Sequence, residues 1–274
     1  MSAHPLQFAA APFDAIAEHY DDTFTTSKIG QAQRASVWKE LKKIFHPGDR
    51  VLELGCGTGV DACFLAQRGV RVIACDASWQ MIARAQHRID GLRKTPSTPV
   101  SLHALRIEEI ASLKETGPFD GVFSNFGALN CVADLRPLAA RLATMLRPGG
   151  NALFCLMGPC CAWEMAWYTG RGEVKKAFRR LRRGGANARL AGEATIQVYY
   201  PRVRSLARVF SPEFRLKSVT GIGVSVPPSY AESWAAQFPR WFDFCVRADS
   251  VLGRYPGIRV LADHVLLRFE REQL

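Results

Sequence analysis

Nothing in this 274-residue chain approaches the run of about 18 apolar residues that a bilayer-crossing helix needs, so no membrane span is expected. The eight cysteines include no CxxC pair and no matching histidine cluster, which argues against a zinc framework, and no metal is expected. Scattered through apolar segments, they read as packed thiols of a reducing cytoplasm. Internal repeats and low-complexity tracts are absent, so a solenoid is excluded. The stretch Met1 to Pro12 has neither a charged n-region nor a long apolar core, so it does not read as a signal peptide, and a cytoplasmic location is expected. Acidic side chains are the scarcer charge, 25 against 36 Lys and Arg, for a net +11. That balance favours anionic partners (nucleic acid, a phospholipid surface, an acidic small molecule) without choosing among them.

What is present is a large apolar fraction, 48%, in an alternating pattern. Arg34 to Phe45 reads as a helix with Val37, Leu41, Ile44 and Phe45 on one face. Strands are expected at Val51–Leu54, Val70–Cys75, Val100–Ala104, Phe119–Ser124 and Ala152–Met157. Between them come helices at Val60–Gln67, Trp79–Ile89 and Leu135–Leu146, with a Pro/Ser/Thr-rich loop around Thr95–Pro99. Strand–helix alternation with short turns predicts a Rossmann-like, doubly wound, mostly parallel sheet. Two late strands, Phe214–Val219 and His264–Phe269, bring the expected sheet to seven. The alternation fails over Gly158–Ser205 and again over about 227–257, which read as helical cap insertions after strand 5 and between strands 6 and 7. The expected division is 1–157 for an N-terminal lid helix and ligand-binding core, 158–205 for the inserted cap, and 206–274 for the closing strands, all in one structural unit.

The strongest local signal is VLELGCGTGVDA, Val51 to Ala62, a buried strand running through a glycine-rich turn into a helix. Glycines allow a tight turn and a close approach to a ligand, at the strand ends where open α/β sheets bind them. A dinucleotide site wants GxGxxG, with pyrophosphate on the helix N-terminus. Here the third glycine comes one residue early, at Gly59, and Val60 stands where that motif needs glycine. Asp61 opens the helix and Glu53 precedes the turn, and acidic groups there suit a cationic ligand better than a pyrophosphate. S-adenosylmethionine, with a sulfonium and an ammonium group, fits that charge pattern. Asp76 ends the second strand, where a carboxylate can accept from both ribose hydroxyls. The alternative, a helix N-cap, suits Ser78 better.

With these motifs in order, the sequence resembles the class I S-adenosylmethionine-dependent methyltransferases over roughly Phe13 to Met157, and the small-molecule and ubiquinone-pathway branch in particular. ELGCGTG is similar to their first cofactor motif, and FDGVFSNFGALN, Phe119 to Asn130, to the segment flanking the methionine moiety. LRPGG, Leu146 to Gly150, is similar to their turn before the fifth strand. FDAIAEHYDDTF resembles their N-terminal helix, in which a tyrosine–aspartate pair closes over the cofactor; Tyr20 is the matching residue. The resemblance implies S-adenosyl-L-methionine as cofactor. It places Gly55, Cys56, Gly57 and Gly59 against it, Asp76 on the ribose, Ala77 and Met81 near the adenosine, and Asn125 and Phe126 by the methionine half. The acid that often meets the adenine is missing from His103–Ile107, so backbone groups near Arg106 are expected there instead.

The acceptor is less legible. Ser124-Asn125-Phe126-Gly127 lacks the prolines of amino-directed DNA methyltransferases. Cys160 and Cys161 invite a nucleophile reading, but packing is the commoner role for such thiols. Trp163, Trp167 and Tyr168, and then Trp234, Phe238, Trp241 and Phe242, fall near helical spacing. Such stripes read first as core and second as an apolar substrate pocket. Lys175, Lys176, Arg179, Arg180, Arg182 and Arg183 form a basic run that reads as a solvated helix face or as an element touching a membrane surface or an anionic ligand. The expected activity is methyl transfer to an oxygen or nitrogen of a small, hydrophobic or anionic metabolite. Ranked below it are an RNA or protein methyltransferase docking through 171–189, with nucleic acid the weaker partner for want of a known module, and a non-catalytic cofactor-binding protein. His19, Tyr20, Glu164, Tyr199 and Tyr200 could act as bases, but none is assigned, and the catalytic residue stays open.

Overall fold

The strands of the first half, apolar at most positions, pair side by side because a sheet covered on both faces can bury them. The computed structural model describes residues 12–92, 100–115, 117–190 and 194–273; the loop expected around Thr95–Pro99 and all but the last residue of Met1–Pro12 lie outside these. In chain order the core elements are α1 (Lys28–Ile44), β1 (Arg50–Leu54), α2 (Val60–Ala66), β2 (Arg71–Asp76), α3 (Trp79–Leu92), β3 (Val100–Ala104), β4 (Phe119–Ser124), α4 (Arg136–Met145) and β5 (Leu146–Met157). The first insertion follows with α5 (Ala162–Thr169), α6 (Val174–Ala177), β6 (Ala186–Arg189) and β7 (Thr195–Val198). Then come α7 (Val203–Phe210), β8 (Phe214–Ile222), α8 (Glu232–Gln237), α9 (Pro239–Leu252) and β9 (His264–Arg271).

Seven strands form one sheet in the order β3-β2-β1-β4-β5-β9-β8. Strands β1 to β5 pair in parallel, and β9 enters antiparallel between β5 and β8. The reversed β9 sets its first residue, His264, opposite Met157 at the end of β5. The beginning of β9 therefore shares the edge where the parallel strands end.

Side chains alternate across the sheet. Leu52 and Leu54 join a core with α4 and α7, while Val51 packs on the other face with Val37 and Leu41 of α1. The same alternation turns Glu53 toward the α1 face. A third cluster joins Ile29 at the start of α1 to Ala235 of α8 and Phe242 of α9.

Three elements differ from the sequence reading. Helix α1 starts at Lys28, six residues ahead of Arg34. Ser27 Oγ caps it by accepting from Gly30 N, and the distant Glu232 carboxylate accepts from Lys28 N at 2.7 Å and Ile29 N at 3.1 Å. The LRPGG segment already belongs to β5, pairing Leu146 with Phe119 before an irregularity restores register at Gly121–Asn151. The first insertion holds a β6–β7 hairpin beside its short helices.

Candidate functional site

The turn after β1 needs left-handed backbone at alternate positions, with φ +70° at Gly55, +52° at Gly57 and +75° at Gly59. Glycine takes these angles without a Cβ penalty. Gly55 N and Cys56 N both donate to Cys75 O, tying the turn to the end of β2. Asp76 then clasps it. Its Oδ2 accepts from Gly57 N and its Oδ1 from Ser78 N, each at 2.8 Å. Burial pushes the Asp76 carboxyl up, against the pull of those two amides. Ser78 caps α3 by accepting from Met81 N, the expected assignment. Met81 is buried in the first turn of α3, and Ala77, just ahead of that helix, is exposed.

A segment N-terminal to α1 lies over this turn. Asp14 Oδ1 accepts from Ser78 Oγ at 2.5 Å and from Gln80 N, at the N-terminus of α3. Asp21 accepts from Thr58 Oγ1 at 2.7 Å and from Arg88 Nη2 at 2.5 Å. Tyr20 sits between these two anchors. Enclosure raises its phenol, with Arg34 pulling it down and Asp61 and Asp76 adding to the rise. Asp14 and Asp21 were not singled out in the sequence, although both lie in the FDAIAEHYDD stretch that carried the lid expectation.

Beneath the lid the two expected acids part company. Asp61 is fully engaged, accepting from Arg34 Nη1 at 2.5 Å, Trp38 Nε1 at 2.6 Å and Asn125 Nδ2 at 2.9 Å. Burial opposes the Arg34 charge, and Asp61 holds it firmly protonated nonetheless. Its negative charge is thus offset within the protein by Arg34. Glu53 is different: it is 1% exposed, and its Oε2 has no hydrogen-bond partner. Burial and the Asp61 charge push its carboxyl well above the usual range, only partly countered by Arg34.

Asn125 Oδ1 accepts from Phe126 N, bracing Phe126 at φ +45°, where a non-glycine residue needs such support. The Phe126 ring meets Phe24 of the lid at 4.9 Å and His264 at 5.4 Å, both edge-on, with the Arg34 guanidinium 5.0 Å from its centroid. The Arg106 side chain is 62% exposed and 3.8 Å from Glu108, while beside it Leu105 N donates to Asp76 O.

Behind His264 lies an ion network that sequence reasoning missed. Arg180 donates to Glu164 at 2.8 Å, to Asp263 Oδ1 at 2.7 Å and to Asp263 O at 2.8 Å; Arg179 donates to Glu164 at 2.7 Å. His264 Nδ1 stands 3.4 Å from Asp263 Oδ2. Burial works against the Asp263 charge, yet His264 and Arg180 hold its carboxyl far below the usual range. The basic run is therefore not one solvated helix face. Its helix, α6, ends after four residues, and Arg179 and Arg180 turn inward. The aromatic stripes also divide. Trp163 packs on Trp234, and Trp167 and Tyr168 on Tyr230, whose buried hydroxyl lacks a partner. Trp241 instead is 64% exposed. Cys161 caps α5, and burial pushes its thiol up to about 12, which removes it as a nucleophile.

Residues 51–150 match the family model of a methyltransferase domain. The tRNA 5-carboxymethoxyuridine methyltransferase of Escherichia coli (strain K12) is 34% identical over 142 residues, 50% of this chain and 53% of that protein. A demethylmenaquinone methyltransferase of Thermobifida fusca (strain YX) is 32% identical over 149 residues, 53% of this chain and 59% of that protein. The chain thus spans little more than half the length of these curated relatives. The CcbJ methyltransferase from Streptomyces caelestis shares the fold at a TM-score of 0.63 with 15% identity, covering 96% of this chain and 99% of that one.

Proposed function

We propose, from the premise that residues 51–150 form a methyltransferase domain of the class I S-adenosylmethionine-dependent type, that the chain methylates an oxygen or nitrogen of a small metabolite in the cytoplasm. The observation that carries the reading is the orphaned, buried Glu53 Oε2 beside a turn clasped by Asp76. A buried carboxyl oxygen without a donor fits the ammonium of S-adenosylmethionine. Nothing stands within 4 Å of where a Cβ on Gly57 would point, so backbone can approach a ligand there. Gly55, Cys56, Gly57 and Gly59 would line the cofactor. The free lone pairs of Asp76 would take the ribose hydroxyls, Ala77, Met81 and backbone near Arg106 the adenosine, and Asn125 and Phe126 the methionine half.

When bound, the cofactor would supply a methyl group bonded to a sulfonium sulfur, its carbon open to in-line displacement with the thioether as leaving group. The lid bearing Tyr20 closes the turn from water through Asp14 and Asp21. Phe24, Phe126 and His264 form an aromatic corner that orients the acceptor, and such alignment is worth effective molarities of about 10⁵–10⁸ M. His264, whose Nδ1 stands 3.4 Å from Asp263 Oδ2, would take the acceptor proton on Nε2. RNA docking through 171–189 fits less well, because Arg179 and Arg180 are occupied inside the protein.

The test supplies cofactor labelled in its methyl group to fractionated cell extract. Label is expected in a small-molecule fraction, reduced severely by His264→Gln while calorimetry with S-adenosylhomocysteine stays unchanged. Asp76→Ala is expected to weaken that binding by about 1–3 kcal/mol. Label in the RNA or protein fraction would overturn the proposed acceptor class, and a nicotinamide nucleotide binding in place of the adenosyl compound would overturn the cofactor.

A further inference from the structure

Helix α9 has a fixed inner side and an unexplained outer one. Phe242 is buried against the Ile29 cluster, and buried Asp249 accepts from Gly223 N at 3.0 Å and Ser225 N at 2.7 Å. These contacts set the rotation of the helix. The side they turn outward carries Trp241 at 64% exposure, Phe244 at 61% and Val251 at 54%, with Tyr255 at 55% in the following turn. At 3.6 residues per turn, Trp241, Phe244 and Val251 fall within a band of roughly 80°. Arg240 and Arg247, both exposed, lie directly beside that band, and Arg254 extends the row.

We propose that this face docks on an anionic phospholipid surface. A band of aromatic and aliphatic groups beside a row of arginines matches a helix lying in the plane of the headgroups. The rings enter the acyl boundary while the guanidinium groups meet lipid phosphates. Charge separates this occupant from a second copy of the chain. Pairing two such faces would bring together two arginine rows on molecules of net charge +11 each, with Asp243 as the one acid exposed on α9. Folded RNA would answer the arginines but leave the apolar band facing water. The docking element is thus α9 in the second insertion, a different place from the basic run of the first, and the proposal does not depend on what the methyl acceptor is.

The experiment is cosedimentation of the full chain with phosphatidylcholine vesicles, with and without phosphatidylglycerol, at low and high salt. Binding is expected only to the phosphatidylglycerol vesicles, and it should fall as salt rises. Arg240→Gln with Arg247→Gln, and separately Trp241→Ser with Phe244→Ser, should each weaken it by at least about tenfold. Both pairs should keep the wild-type melting temperature and S-adenosylhomocysteine affinity, since none of the four residues touches the cofactor turn. Equal binding of wild-type and both double variants would overturn the proposal. So would a wild-type dimer in sedimentation velocity that Trp241→Ser with Phe244→Ser converts to a monomer.

Discussion

Replacing Gly55 by alanine places a methyl group where the cofactor turn touches the loop after β4. An ideal Cβ on Gly55 would stand 2.3 Å from the Ala128 Cβ, with the Ala128 Cα at 3.7 Å and the Ile107 Cδ1 at 3.9 Å. Carbon atoms pack at about 3.5–4.0 Å, so only the Ala128 methyl is in conflict, by more than about 1 Å. Two costs follow. The left-handed φ of +70° costs an L residue about 1–2 kcal/mol, and forcing the methyl groups apart adds about 1–3 kcal/mol. Gly55→Ala should therefore lose about 2–5 kcal/mol in urea denaturation. Ala128→Gly alone should cost about 1 kcal/mol or less. In the Ala128→Gly background the clash disappears, and Gly55→Ala should cost only the backbone share, about 1–2 kcal/mol. The cycle thus yields a coupling of about 1–3 kcal/mol. If Gly55→Ala costs as much with Ala128→Gly as without it, the close approach of turn and loop is not what fixes glycine there.

Calorimetry over a pH series addresses Glu53. Its folded carboxyl is raised, so it holds a proton that an arriving ammonium would displace. Cofactor affinity should then rise with pH across the interval between the usual carboxylate range and the raised value, by at most about tenfold per pH unit, and Glu53→Gln should flatten the curve. Arg180→Met leaves the buried Asp263 carboxylate without its arginine and Glu164 with Arg179 alone, and should cost about 3–5 kcal/mol at neutral pH in urea denaturation. The Asp263 carboxyl is depressed in the folded protein, so its contribution is present above its unfolded value and is lost as pH falls through the acid range. The deficit of Arg180→Met should shrink over that interval; a constant deficit would detach it from these charges.

The half of the site built from contiguous sequence could be read directly. The strand, the three glycines and the acid that ends β2 follow one another in chain order, and their spacing alone carries the geometry. What could not be read depends on partners far away in the chain. Asp61 looked available because Arg34, which neutralises it, lies 27 residues earlier on a helix whose true start is set by Glu232. Arg179 and Arg180 looked like solvated charge because Glu164 and Asp263, which hold them, come from α5 and the approach to β9. His264 carried no local signal, since its place at the ligand edge follows from β9 running against its neighbours.

That reversed direction has a practical corollary. Counter-running β9 brings its opening residue to the edge where the parallel strands end and carries Glu270 and Arg271 to the opposite margin, beside Asn151 and Phe214. Affinity handles or fluorescent reporters joined beyond this strand would leave from the side remote from the glycine turn, whereas an insertion just ahead of Asp263 would fall among the ion pairs of Arg180.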